Sequence, residues 1–154
     1  MTLDNTAKQA NVEGSLKKYF VDSIETAEGV PVAFDKYLST PNLHGKALTE
    51  WVTVNFGNLA MSAMSAHDLH IYCCTRSDNE GFNLAQLRDK VFKYLSDNTK
   101  TDGMARIPFY DVATWTLLDG GFVVQDVIES QKFDADDGTK FKILTVQLRF
   151  SSKV

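Results

Sequence analysis

The chain has 154 residues, 44% hydrophobic and 23% charged, the balance of one globular domain whose core needs neither disulfide nor metal. A net charge of −4 with scattered Lys and Arg offers no basic stripe to displace counterions from phosphates, which argues against tight sequence-neutral nucleic-acid binding. No stretch approaches the ~20 apolar residues of a membrane span, and the opening MTLDNTAKQAN lacks the apolar run of a secretory signal.

In chain order, Val12, Leu16, Tyr19, Phe20 and Ile24 share one face of a predicted helix over 12–27, preceded by a flexible tail, 1–11. Gly29 and Pro31 stop it. Residues 30–37 alternate as a strand, with Pro31 at its start where a missing N–H costs little. A loop is expected over 38–47. Strand alternation resumes over 48–56, with Val52, Val54 and Phe56 opposite Trp51, Thr53 and Asn55. The uncharged GNLAMSAMSA (57–66) reads either as the next strand's start or a hairpin loop, or as an adaptable contact surface, since Met moulds to partners. HDLHIYCC (67–74) reads as a strand and TRSDNEG as a turn. Asn83 and Gln86 form a near capping box, and Phe82 and Leu87 a hydrophobic staple. They open a helix over 84–97 with Leu84, Leu87, Val91, Phe92 and Leu95 on its inner face. A loop over 98–104 leads to ARIPFYDV (105–112), which Pro108 confines to an edge or bulge. Gly120-Gly121 marks a turn. FVVQDVIESQKF and KFKILTVQLRF flank DADDG as an antiparallel hairpin, and 151–154 form a tail. The sum is a single α+β domain, 1–154. It has a mainly antiparallel sheet of about four to six strands, two helices packed on one face, and a C-terminal β-hairpin.

His67, His70, Cys73 and Cys74 invite a metal reading. On a strand, positions three apart and adjacent positions both point to opposite faces, so the quartet cannot converge. His44 stands alone in a loop. A structural strand carrying surface histidines and a buried thiol is expected instead. Adjacent cysteines pair poorly, so both should be free thiols, as in a reducing cytoplasm. DADDG fails as a calcium loop, because Gly138 is fifth from Asp134 and the twelfth position is Thr145, inside a strand. Turn chemistry explains it, with weak incidental cation binding as the alternative. No nucleophile elbow or phosphate-cradling loop is present. The expectation is a protein that is not an enzyme, with no catalytic, cofactor-binding or metal residues and no cofactor. Trp51 and Trp115 read first as packing residues. The competing view is a small-ligand cup using Trp115, Tyr110, His70 or Tyr72.

The succession of an opening helix, EWVTVNFGN, a Ser/Ala/Met-bearing connection, LHIYCCTR, the helix NLAQLRDKVFKYL and a closing ILTVQLRF resembles the tail terminator (tail completion) proteins of long-tailed bacteriophages. The resemblance covers most of residues 12–150. It implies a small α+β subunit that forms a six-fold ring on the finished tail tube. The ring stops tube growth and offers the head-joining surface. The implied partners are the chain itself, the tail tube protein and a head-completion or connector protein. DNA only passes through the lumen, and no membrane is involved. The implied location is the virion tail or neck, assembled in the host cytoplasm. Mild acidity is compatible with a non-sticking lumen. The segments 38–47 and 98–118 are longer than a minimal version needs. Candidate subunit-interface residues are Leu59, Met61 and Met64, together with Trp51, Pro108, Phe109 and Tyr110. Another neck or head-completion protein of the virion is the nearest alternative.

Overall fold

Val12, Leu16, Phe20 and Ile24 recur at every fourth residue and all are fully buried. A strict four-residue repeat on an α-helix drifts by about 40° per step. Helix α1 (Gln9–Phe20) continues as a π-helical segment, Val21–Ala27, whose wider turns drift the other way and keep Ile24 in the core. Gly29, at φ 72°, ends it as anticipated, with the N–H groups of Gly29 and Val30 reaching back to the carbonyls of Glu25 and Ile24. The computed structural model describes residues 9–35, 49–60, 64–78, 80–135 and 138–151. Residues 9–11, expected in a tail, are helical, and Asn11 is buried.

After the helix come β1 (Val32–Phe34), β2 (Glu50–Ala60), β3 (Ser65–Thr75), α2 (Phe82–Phe92), β4 (Arg106–Asp111), β5 (Thr116–Glu129), β6 (Phe133–Asp134) and β7 (Lys140–Ser151). They form one sheet of seven strands in the order β1-β2-β3-β7-β5-β4, with β6 beside β7. This exceeds the expected four to six, because the two-residue β6 pairs with β7 as a strand of its own. Every ladder is antiparallel except β1 with β2. The expected loop, 38–47, and His44 lie outside the described residues.

The glycine pair expected at a turn is instead a bulge inside β5. Pro108 faces Gly121 and Tyr110 faces Leu117, so β5 carries the extra residues. Gly120 takes φ 93°, and a Cβ on Gly121 would lie 3.0 Å from the Ile107 carbonyl oxygen. The C-terminal hairpin is also not continuous. Ser130 donates its N–H to the Ile143 carbonyl, while its hydroxyl accepts the Ile143 N–H, so a side chain replaces a ladder position. The chain leaves the sheet and re-pairs as β6. Asp136 and Asp137 lie outside the described residues.

Both helices cover the same face. The core gathers Leu16, Phe20 and Ile24 with Leu84, Leu87, Val91 and Leu95 over Val52, Val54, Leu69, Ile71, Leu144 and Val146. Each fully buried aliphatic or phenyl side chain stabilises by about 1.5–3 kcal/mol. The sheet curls round α1. Lys17 stands 5.7 Å from the rings of Phe34 on β1 and Phe56 on β2, while Lys18 stands 5.5 Å from Tyr110 on β4, the opposite edge.

The helix α2 starts by a route different from the one expected. Gly81, left-handed at φ 75°, precedes it and supplies no side chain. The cap is Asp78, whose carboxylate accepts the N–H of Asn83 at 3.2 Å, the N–H of Leu84 at 2.9 Å and the Thr75 hydroxyl at 3.2 Å. Phe82 is 66% exposed and makes no staple. The helix ends at Phe92, short of residue 97, yet Leu95 stays buried through the following turn, whose N–H groups still reach back to Asp89, Val91 and Phe92.

Candidate functional site

β3 alternates as its sequence predicts, and this splays the suspect quartet. Leu69, Ile71 and Cys73 enter the helix-covered core, while Cys74 joins Trp51 and Ala33 on the other face. Both cysteines are buried thiols outside any disulfide, and burial pushes the Cys73 thiol up to about 12. Among the described residues no three His, Cys, Asp or Glu groups are placed to hold a metal ion.

His67 is a correction. Expected on the surface, it shares the parity of Leu69 and is buried. Its ring lies parallel to Phe56 at 5.7 Å, and Phe56 lies parallel to Phe34 at 6.1 Å, a three-ring stack across β3, β2 and β1. Nδ1 lies 2.9 Å from the Asn58 carbonyl oxygen, which can only accept, so Nδ1 carries the proton. Nε2 is then a buried acceptor without a partner. His70 points to the opposite face, 3.5 Å from the Thr145 hydroxyl.

The four residues named for a ligand cup divide into two pairs on different parts of the sheet. Tyr110 and Trp115 meet at the β4–β5 connection, with ring centroids 6.4 Å apart. His70 and Tyr72 lie on the central strand β3, facing away from the helices.

The structure does gather a different surface, along the outward side of α1. A groove of about 780 Å³ has an apolar floor of Ala10, Gly14, Val21 and Val112 and a wall formed by Trp115. Glu13, Lys17, Lys18 and Asp22 rim it, the last two paired at 2.7 Å. Gly14 makes the floor possible, because a Cβ there would lie 2.2 Å from Val112 Cγ1. Trp115 is 52% exposed and sits at φ 54°, a left-handed conformation unusual for a bulky residue. Its N–H and that of Thr114 both donate to the Asp111 carbonyl, which holds the turn. Leu117, two residues on, is also exposed.

Of the residues singled out from sequence, Met64 is exposed at the β2–β3 tip, Leu59 packs against the core and Met61 lies outside the described residues. Trp51 is fully buried with its Nε1 unpartnered, under the Arg76 guanidinium. Phe109 is buried, edge-on to Phe122 at 5.5 Å. Pro108 is exposed on the edge strand β4, where its missing N–H is tolerated, and Tyr110 is half-buried beside the groove. The groove carried no local signal: Ala10 falls in the segment expected as a tail, and nothing near Gly14 tied it to Trp115, some hundred residues later.

No known protein family and no curated protein matches this sequence. Fourteen solved chains match the fold. One, carrying no functional description, superposes with a TM-score of 0.65 at 9% identity, covering 96% of this chain and 99% of its own. Likeness at that identity concerns the fold alone. Among the described residues no helix is long and apolar enough to cross a membrane.

Proposed function

We propose that this chain is a virion assembly subunit of the tail-terminator type. Copies associate into a ring, of six in the family it resembles, that caps the tail tube, halts its elongation and presents the surface for the head-completion or connector protein. DNA passes through the lumen without being held, and the subunit performs no catalysis and uses no cofactor. Its place is the tail or neck, reached by assembly in the host cytoplasm.

The observation that carries the reading is the α1 groove. Trp115 is held half in water by a left-handed backbone, above a floor cleared by Gly14. Large aromatic side chains in apolar surroundings with a polar rim are what protein interfaces use as anchors. The quartet that invited a metal reading is, by contrast, splayed, with Cys73 and Cys74 on opposite faces and His67 inside. The order of elements from which the resemblance was drawn supports the same reading.

The test is end-capping. Purified protein added to tail tubes is expected to leave a ring at one tube end in negative-stain micrographs and to stop tube growth. Bare tube ends at saturating protein refute it. Binding to the connector with no tube contact would move the chain to another neck position.

A further inference from the structure

The edge strand β4 raises a separate question: what stops its open side from pairing with another chain. The Val124 N–H donates to the Ala105 carbonyl, so Ala105 and, by alternation, Ile107 and Phe109 turn their backbone groups towards β5. Arg106, Pro108 and Tyr110 therefore face outward, and Val112 follows in the turn that leaves β4. The extra residues of the bulge lie on β5, so the alternation of β4 is unbroken.

Beyond Arg106, no outward N–H is left open from Pro108 to Val112. Pro108 has no N–H to offer. At Tyr110 the Ser15 hydroxyl accepts the N–H at 2.8 Å and donates to the carbonyl at 3.3 Å, which is both halves of what a neighbouring strand residue would supply. At Val112 the Asn11 Oδ1 accepts the N–H at 3.1 Å. Asn11 and Ser15 are one helical turn apart, both buried, and Gly14 between them lets the helix come down onto Val112. None of the three favours a helix interior: Gly is the costliest non-proline residue there, and Ser and Asn compete for backbone hydrogen bonds.

We infer that α1 is an edge guard: Ser15 occupies the strand-pairing position at Tyr110 of β4, Asn11 takes the N–H of Val112 just beyond the strand, and together they prevent a second copy of this chain from adding a strand there. An uncovered edge with free N–H and C=O groups is a template for edge-to-edge pairing, and this molecule closes its own with two helix side chains and a proline. The inference stands apart from the ring assembly proposed above, since it concerns an association that the fold forbids.

The test is the double variant Asn11→Ala/Ser15→Ala, which leaves α1 a better helix. Hydrogen exchange at the Tyr110 and Val112 amides is expected to accelerate at least ten-fold while the β5–β7 amides keep their protection. Light scattering is expected to show growth with concentration beyond the wild-type state. Adding Arg106→Pro, which removes an outward donor without touching the β4–β5 ladder, is expected to abolish that growth. Unchanged exchange at Tyr110 and Val112 overturns the guard. Growth that survives Arg106→Pro places the association elsewhere and overturns the pairing edge. Should the double variant not fold, Ser15→Ala alone is read by the same Tyr110 exchange, with the same outcomes.

Discussion

At Asp78 a single carboxylate closes the start of α2, accepting two backbone N–H groups and the Thr75 hydroxyl. Burial is the largest influence on it and pushes its pKa up, but the hydrogen bonds from Leu84, Asn83, Thr75 and Gly81 together hold it below the ordinary carboxylate value. Asp78→Ala leaves these donors unserved and is expected to cost about 1–2 kcal/mol, read as a lower denaturant midpoint at constant slope. Glu129 gives the acid limb of stability. The bidentate Arg88 guanidinium, at 2.7 Å to both oxygens, and the Lys142 ammonium draw it from 4.5 down to about 2 against the opposing effect of burial. A carboxyl depressed in the folded state stabilises above its unfolded value and loses that contribution as pH falls from about 4.5 towards 2. Glu129→Gln should therefore flatten the fall of Tm across that window and cost on the order of 1 kcal/mol at neutral pH, the pair being partly solvated. Equal slopes for both proteins would refute the assignment. Cys73, buried and with its thiol pushed up to about 12, should react with alkylating reagents only upon unfolding.

At the scale of elements, α1 joins the two ends of the molecule, pressing Gly14 onto Val112 at one sheet edge and Lys17 against Phe34 and Phe56 at the other. Gly14→Ala would gain about 1 kcal/mol of helix propensity, yet its Cβ would stand 2.2 Å from Val112 Cγ1. The net is expected to be a loss of about 1–3 kcal/mol by overpacking. Val112→Ala in the same molecule should restore most of it, and additive losses would show that the two residues do not meet. The apolar spacing of α1, α2, β2 and β3 was legible because period four and period two survive in the sequence wherever one face is buried, as Leu16–Phe20–Ile24 and Leu69–Ile71–Cys73 do. What misled was punctuation. Gly120-Gly121 makes a bulge that lets β5 pass close to Ile107, and Asn83 sits beside a better-placed carboxylate five residues upstream. His67 lies inside because it shares the parity of Leu69, and the period of a strand outweighs the polarity of one ring. The groove was illegible because it is made by residues far apart in sequence, Gly14 and Trp115.

At the scale of the whole molecule, a closed ring needs two different patches meeting head to tail. β4 offers little for one, since the outward N–H groups at Tyr110 and, just beyond the strand, Val112 are taken and Pro108 has none. That leaves side-chain surfaces, and the α1 groove joins an exposed indole to an apolar floor. If Trp115 anchors the neighbouring subunit, truncating it should remove about 2 kcal/mol or more from each contact, or roughly thirty-fold in affinity. The fold itself should hardly notice, because half of the indole already lies in water. Trp115→Gly sharpens the distinction. At φ 54° a bulky residue carries about 1 kcal/mol of backbone strain that glycine does not, so this variant should melt no lower than wild type while failing to cap tubes. Trp115→Ala and Trp115→Gly that both cap normally would leave the groove without a part in assembly. Variants that lose capping only in proportion to a lowered Tm would make Trp115 a packing residue of the β4–β5 turn.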